Sequence, residues 1–329
     1  MGGDAARAAP ARQDLDTAVN IPEATRILIE GAGGQRLTVA GPGAGTDGVV
    51  LADVDSGTEF ENFFEAPTTT IWNATAYQVG ADFGGAREEK FDFTLAFHIL
   101  ATATASWRAA YERFRLAFSF KRDSGLRAEV GDSSRLLTVR LGAKPAVKVT
   151  GDPNADGYAL AVVPLVGAYP RWCEPDVVSQ FVTTTDTTGG GVESGYVTVS
   201  NPLPVDYEIW PRWIIQGGKD IVWTIPDFSW GSGEFERAEI DRDRKMVMPP
   251  LLDGEHVVID TDPLARNGQA NSSIDTEFPA RMNGQRFCYP LPGATPETKI
   301  PVSVTGAPVG AGVQVRCPRP WPRPWGGLD

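Results

Sequence analysis

The sequence predicts a mainly β protein of the α+β class, with many short antiparallel strands and one substantial helix. The chain of 329 residues contains 36 glycines and 26 prolines, a composition typical of short strands joined by tight turns. Apolar residues alternate with a period of two in most segments, which indicates half-buried strands. A single hydrophobic core rarely serves more than about 300 residues, so two domains are predicted.

The predicted first domain covers residues 21–170. It follows residues 1–20, whose Ala, Arg, Asp and Gln content suggests a flexible N-terminal arm. Glycine-rich segments separate the apolar runs of this domain, which predicts hairpins. The longest predicted pair of strands flanks residues 80–85. The strands predicted in this domain are residues 26–30, 37–40, 49–54, 68–79, 89–100, 126–130, 135–141 and 158–166.

A helix is predicted after Ser106, a residue type that commonly caps helix N-termini. Trp107, Tyr111, Phe114 and Phe118 follow at spacings of four, three and four, which places them on one helical face. We expect this face to pack against the sheet of the first domain. The charged opposite face is a candidate for a contact between subunits.

The predicted second domain, residues 171–295, follows a junction at residues 169–175 and consists almost wholly of strands and turns. Seven short strands in about 120 residues favour an antiparallel sandwich. They are predicted at residues 177–184, 195–200, 207–216, 221–225, 245–248, 256–260 and 285–289.

Residues 296–329 are predicted to form a terminal β-hairpin and then a tail rich in Arg, Pro and Trp. Prolines hold such a tail extended. Large aromatic side chains on a stiff segment lose little conformational entropy when they dock. Trp321 and Trp325 are therefore predicted to clasp another surface, which indicates an assembly component rather than an enzyme.

Charge and cysteine content exclude several classes of protein. The formal net charge of −12 argues against non-specific nucleic-acid binding, which needs a basic surface. The same charge is compatible with a surface past which DNA slides without binding. The three cysteines are odd in number and far apart, which argues against a disulfide framework or a zinc knuckle. We expect neither a secretion signal nor a membrane span. We expect the protein to be synthesised in a reducing cytoplasm.

Motifs that could carry chemistry have simpler explanations as turns. Two Asp-Ser-Gly triplets, residues 55–57 and 123–125, resemble the pair in aspartic proteases, but the second follows the predicted helix rather than a strand. Residues 152–157 resemble half of a calcium loop, yet Val163 stands where the closing Glu is required. No catalytic, cofactor-binding or metal-ligating residue is predicted, and no cofactor is expected.

The tryptophan-rich second domain leaves two explanations open. Exposed aromatic side chains on a sandwich can stack on sugar rings, which makes Tyr207, Trp223 and Trp230 candidates for contact with a glycan or a partner. The simpler explanation is packing in the core and at a protein interface, where Trp is enriched. A wall-degrading hydrolase is a third hypothesis, and it requires a pair of carboxylates in a cleft.

Four segments carry a resemblance to a known family: residues 77–93, 195–202, 252–263, and 281–287 continuing through the tail. Together they resemble the minor tail proteins of long-tailed actinobacteriophages, which are similar to the distal tail proteins of phages. The resemblance implies a ring-forming N-terminal domain with a β-sheet, one helix and a protruding β-hairpin, followed by a galectin-like β-sandwich. In that family, six copies form a ring between the tail tube and the tail tip, with a channel for DNA.

The expectation is therefore a non-enzymatic component at the distal end of the virion tail, assembled in the host cytoplasm. Its expected partners are copies of itself in a hexameric ring, tail-tube and tail-tip or baseplate proteins, and DNA that passes without specific binding. The alternative is a module that binds host cell-wall glycan during adsorption. The residues predicted at an assembly interface are Phe83, Phe91, Phe93, Trp107, Tyr111, Phe114, Trp321 and Trp325.

Overall fold

The computed structural model describes residues 23–65, 67–266 and 268–326, so the predicted arm at residues 1–20 lies outside the described residues. The predicted fold class is confirmed, because strands dominate and every pairing between described strands is antiparallel. The strands are β1 (Arg26–Glu30), β2 (Arg36–Ala40), β3 (Val49–Leu51), β4 (Thr68–Asn73), β5 (Asp82–Glu88), β6 (Phe91–Leu100), β7 (Ser124–Val130), β8 (Ser133–Leu141), β9 (Ala146–Lys148), β10 (Tyr158–Gly167), β11 (Trp172–Val182), β12 (Glu193–Asn201), β13 (Arg212–Ile215), β14 (Val222–Pro226), β15 (Lys245–Val247), β16 (Val257–Asp260), β17 (Ala270–Ser272), β18 (Thr295–Thr305) and β19 (Gly312–Trp321). The helices are α1 (Phe60–Phe64), α2 (Trp107–Ala117), α3 (Pro153–Asp156) and α4 (Phe278–Arg281).

Helix α2 confirms the predicted helix. The Ser106 side chain accepts a hydrogen bond from the backbone N–H of Ala109 at 3.3 Å, which satisfies one of the free donors of the first turn. Phe114 is buried against Phe97 of β6, with ring centroids 5.2 Å apart. The helix ends where Phe118 takes an extended conformation.

The largest sheet runs from one half of the chain into the other. Its main path is β17-β16-β13-β19-β11-β8-β10-β6-β3, and β1, β2, β7 and β9 pair beside this path. Strand β10 pairs with β6 along its full length. The two halves meet where Cys173 of β11 pairs with Leu136 of β8. This pairing makes β11 the strand that connects them.

A second sheet, with order β12-β18-β14-β15, packs against the end of the large sheet that contains β11, β13 and β19. Phe181 of β11 contacts Trp223 of β14 edge-on, with ring centroids 6.3 Å apart. The predicted antiparallel sandwich is therefore present, with side chains from both sheets in one buried core.

A cluster of aromatic rings holds α1, β6, β11 and the C-terminal segment together. Phe63 of α1 contacts Phe93 at 5.8 Å and Trp172 at 5.0 Å between ring centroids. The neighbouring Phe64 contacts Trp325 at 5.0 Å. Aromatic pairs with this edge-to-face geometry contribute beyond the area that they bury, so the cluster joins the two halves of the chain.

The predicted terminal hairpin is wrong, because β18 and β19 lie in different sheets. Strand β18 pairs with β12 and β14, whereas β19 pairs with β11 and β13. The turn between them, which contains Gly306 at φ +68°, therefore crosses from one sheet to the other. Alternation of apolar residues predicts a strand but does not identify its partner.

The predicted strand pair around residues 80–85 also needs correction. Strand β4 pairs with β5, while β6 joins the large sheet between β10 and β3. Phe91, Phe93, Leu95 and Phe97 project from one face of β6 and are all buried. A strand with four large apolar side chains on one face is stabilised by burial in a packed sheet, and β6 finds that burial against the core.

Candidate assembly surface

Strands β4 and β5 form a two-stranded hairpin with an unusual degree of exposure. All six residues of β4 are exposed, and among the described strands β4 and β5 pair only with each other. Both outer edges of the hairpin are therefore free of strand partners. An isolated two-stranded hairpin is marginally stable in water, and unpaired edges can accept a further strand.

The hairpin carries large apolar side chains in contact with solvent. Trp72 is 59% exposed and Phe83 is 61% exposed, and their rings meet edge to face at 5.5 Å between centroids. Ile71 on β4 is exposed as well, and Tyr77 and Val79 in the connection between the strands are fully exposed. Several large apolar side chains exposed on one short hairpin are typical of a site of interaction with another molecule.

A buried arginine anchors the base of the hairpin. Arg171 forms an ion pair with Glu88, the last residue of β5, and donates a hydrogen bond to the carbonyl oxygen of Pro170 at 2.9 Å. Its guanidinium group also lies 4.9 Å from the centre of the Tyr207 ring. Burial lowers the pKa of the Arg171 guanidinium. The hairpin is therefore exposed along its length but fixed to the body at its base.

The same half of the molecule contains unpaired strand edges. Within the described chain, β2 pairs only with β1, β3 only with β6, and β9 only with β10. Each of these strands therefore offers one edge with backbone groups available to a partner. The chain thus has both a projecting hairpin and edges that could receive one.

Most of the predicted interface side chains lie inside the chain. Phe91, Phe93 and Phe114 are at most 1% exposed, and Trp107 and Trp321 are below 10%. This placement corrects the predicted role of these five side chains as contact groups, because their surface is already used in packing within the chain. The regular spacing of these apolar residues reflects their packing in the core.

Three of the predicted interface residues remain accessible. Phe83 is on the exposed hairpin. Tyr111 is half-buried and stacks parallel to Trp107 at 5.1 Å between ring centroids. Trp325 is half-buried against Phe64. Trp72, which with Phe83 forms the aromatic pair of the hairpin, was not among the predicted contact residues, because no pattern in Thr68–Asn73 distinguishes an exposed strand from a buried one.

The Pro/Trp tail folds back onto its own chain. Pro318 and Pro320 lie in β19 beyond Arg316, the last residue paired with β13, so the strand there has only β11 beside it. Proline is tolerated in a strand where no ladder hydrogen bond to a second neighbour is required. Trp321 pairs with Trp172 and is buried. As far as Trp321, the tail is therefore a strand of the large sheet rather than a free arm.

The residues predicted for glycan contact do not come together. Trp223 is completely buried, where it contacts Phe181, so its predicted role is wrong. Trp230 is half-buried beside Phe228 and lines a small cavity of about 30 Å³ within the second half of the chain. Tyr207 lines a different and larger cleft.

Asp227 is the buried carboxylate whose environment most resembles that of a catalytic group. Burial raises its pKa to about 6, although the N–H groups of Cys288 and Tyr289 and the guanidinium of Arg244 oppose the rise. The Asp227 side chain is only 1% exposed and accepts a hydrogen bond from Arg244 at 2.5 Å. Its partners and burial indicate a structural role, closing the loop between β14 and β15.

The motifs that resembled chemical sites form turns and ion pairs. Asp123 of one Asp-Ser-Gly triplet pairs with Arg140, and Asp55 of the other lies in a turn. Asp152 caps α3 rather than opening a calcium loop. Across the described ranges, no group of three or more His, Cys, Asp or Glu is arranged to hold a metal ion. No helix in the described part of the chain has the length and hydrophobicity needed to cross a membrane.

Comparison with known proteins identifies relatives along nearly the whole chain. Minor tail protein Gp27 of mycobacteriophage D29 is 29% identical over 351 residues, covering 92% of this chain and 98% of that protein. Minor tail protein Gp27 of mycobacteriophage L5 is 28% identical with the same coverage. No family model matches the sequence.

The fold has a counterpart among solved structures. The Dit (gp 19.1) protein of phage SPP1, described as a paradigm of the hub adsorption apparatus in phages that infect Gram-positive bacteria, superposes with a TM-score of 0.52. The superposition covers 89% of this chain and 98% of that protein, at 10% sequence identity. The chain is a homologue of mycobacteriophage minor tail proteins, and its fold is that of a phage hub protein of the Dit type.

Proposed function

We propose that this protein is a ring-forming hub of a phage tail, located at the distal end between the tail tube and the tail tip or baseplate. The observation that carries the proposal is the β4–β5 hairpin, which exposes Trp72 and Phe83 on strands that, among those described, pair only with each other. A monomer in solution gains nothing from such a surface. Homology to minor tail proteins supports a location in the virion tail.

A ring requires two different surfaces on each subunit, because a head-to-tail contact joins unlike faces. The hairpin is one such surface, and the open edges of β2, β3 and β9 provide candidates for the other. Addition of a hairpin strand to a neighbour's open edge supplies backbone hydrogen bonds, and the aromatic side chains supply apolar burial. We propose six copies, as in the distal tail proteins that the sequence resembles.

The two halves of the chain have different roles in this proposal. Residues 21–170, which contain the hairpin and its candidate receiving edges, form the ring. Residues 171–295 project outward toward other tail proteins. The net charge of −12 suits a central channel that repels the phosphate groups of passing DNA. The role is structural rather than catalytic, in line with the relatives, which are tail proteins.

The double substitution Trp72→Ser and Phe83→Ser tests the hairpin. Both side chains are more than half exposed, so the melting temperature of the subunit should change little. The substitutions remove apolar area that each subunit would bury against its neighbour in the ring. With about 2 kcal/mol for each aromatic side chain buried, we expect at least a 100-fold weaker subunit association. Analytical ultracentrifugation over a concentration series measures this change.

The matched control is Tyr196→Ser with Leu264→Ser, since these side chains are 65% and 86% exposed but lie outside the hairpin. The control variant should assemble like the wild type. Equal association by the hairpin variant and the wild type would contradict the proposal.

A further inference from the structure

A cleft of about 440 Å³ lies between the C-terminal segment and the loop that precedes β13. Trp321, Arg323 and Trp325 line one side, and Asp206 and Tyr207 line the other. Glu65, which follows α1, lies at the same cleft. The cleft therefore forms where the two halves of the chain and the C-terminal segment meet.

Buried contacts fix the walls of this cleft. Arg135 donates hydrogen bonds to the carbonyl oxygens of Arg323 at 3.0 Å and Gly326 at 2.5 Å. Trp325 packs edge-on against Phe64. Across the cleft, the Arg171 guanidinium lies over the Tyr207 ring. A ligand would therefore enter a cleft whose aromatic side chains are already positioned.

The polar groups of the cleft are of two kinds. Glu65 and Arg323 form an exposed ion pair at 2.7 Å. Asp206 is exposed, and its carboxylate has no hydrogen-bond partner among the described residues. Trp321 is 7% exposed and its indole Nε1 is buried, so this residue offers the cleft the surface of its ring rather than a donor. The cleft thus combines aromatic rings with an exposed carboxylate and an exposed ion pair.

The charges of the cleft argue against an anionic ligand. Arg135 is neutralised by Glu174 at 3.0 Å, and Arg323 by Glu65. Asp206 then remains as an unpaired negative charge. A phosphate-bearing ligand would meet no free cation here, and a purely apolar partner would leave the Asp206 carboxylate without a hydrogen bond.

We propose that this cleft binds a neutral oligosaccharide. Sugar rings present an apolar face that packs on Tyr207 and Trp325, and hydroxyl groups that donate hydrogen bonds to Asp206 and Glu65. This combination of stacking and hydrogen bonding matches what the cleft offers. The open edge of β19 beside the cleft contains Pro318 and Pro320, which lack the backbone N–H groups that an added peptide strand would pair with. The proposal goes beyond the hub function and does not depend on ring formation.

Isothermal titration calorimetry of the full chain tests the proposal. The ligands are chitotetraose, cellotetraose and maltotetraose, each at up to about 10 mM so that weak binding is detected. We expect at least one of these tetrasaccharides to bind. Asp206→Asn and Trp325→Ala should each weaken that binding at least about 5-fold, because each removes a polar or stacking contact. Circular dichroism confirms that each variant is folded.

Matched controls separate the cleft from general effects of the substitutions. Asp253→Asn changes an exposed carboxylate that does not line the cleft, and Tyr196→Ala removes an exposed aromatic ring of β12 that does not line it either. Both should bind the tetrasaccharide with wild-type affinity. The proposal would be overturned if none of the three tetrasaccharides bound. It would also be overturned if Asp206→Asn left the binding unchanged, or if a tail-protein peptide occupied the cleft in place of a sugar.

Discussion

Replacement of Arg135 by Leu is expected to lower the free energy of unfolding by roughly 4 kcal/mol, the cost of removing one partner from a buried ionic network. The Arg135 side chain is 4% exposed and pairs with Glu174 at 3.0 Å. Its guanidinium lies 3.9 Å from the centre of the Trp321 ring and donates to the carbonyl oxygens of Arg323 and Gly326. Leu would leave Glu174 and both carbonyl groups without these hydrogen bonds.

Urea unfolding measures the change in stability, and amide hydrogen exchange shows where it arises. Exchange should rise most at residues 321–326, which Arg135 holds against the body. Arg316→Leu is the matched control, because Arg316 is an exposed residue of β19 whose side chain bonds Gln314 in the same strand. That control should differ from the wild type by less than about 0.5 kcal/mol. A similarly small change in Arg135→Leu would show that Arg135 does not hold the C-terminal segment.

Glu255→Gln is expected to destabilise the protein by roughly 3 kcal/mol at neutral pH, and this difference should disappear in acid. The Glu255 side chain is fully buried and forms an ion pair with Arg281 of α4 at 2.5 Å. Burial alone would raise the pKa of Glu255. Hydrogen bonds from Arg281, Thr276, the Leu252 N–H and Ser272 outweigh burial and lower the pKa to about 2.

The pH dependence follows from the direction of this shift. The pKa of Glu255 falls from 4.5, its ordinary value, to about 2 in the folded protein, so the unfolded chain binds the proton more tightly. The stability from the ionised carboxylate is therefore present above about pH 4.5 and is lost as the pH falls toward 2. Urea unfolding of both proteins between pH 7 and pH 2.5 measures the loss.

Glu239→Gln is the control for the Glu255 experiment. The Glu239 side chain is 78% exposed and pairs with Arg242 on the surface. Its replacement should change stability by less than about 0.5 kcal/mol at any pH in this range. If the difference between wild type and Glu255→Gln stayed constant from pH 7 to pH 2.5, the proposed ionic role of Glu255 would be wrong.

The elements that the sequence predicted correctly are those with a strong local pattern. The aromatic spacing from Trp107 to Phe118 and the suitable cap at Ser106 predicted α2 almost to the residue. The strands predicted at residues 126–130 and 135–141 correspond to β7 and β8, which pair with each other across a short turn. In these cases, the residues that stabilise the element are neighbours in sequence.

The incorrect predictions depend on partners that are distant in sequence. The aromatic residues of the tail indicated a surface contact. Trp321 is instead buried against Arg135, which precedes it by 186 residues in the sequence. The Phe91 and Phe93 pattern predicted a strand correctly but not its burial beside β10. Residues 82–85 were predicted as part of a turn but belong to β5, and Asp82–Glu88 rather than residues 89–100 is the strand that pairs with Thr68–Asn73. Exposure rather than burial makes that segment a candidate interface.

The candidate cleft could not have been predicted as one site. Tyr207 and Trp325 were each predicted as contact residues, but for different surfaces. Their meeting depends on the return of β19 along β11 to the aromatic cluster around Phe63. Glu65 and Asp206 have no sequence pattern that distinguishes them from other exposed carboxylates.

Negative-stain electron microscopy of the purified protein, with class averages tested for rotational symmetry, is the most direct test of ring formation. The proposed function predicts closed rings with a central hole and six subunits, which the Trp72→Ser and Phe83→Ser double variant fails to form. Monomers at every concentration tested, or open filaments without a hole, would contradict the claim that this chain builds a ring-shaped hub.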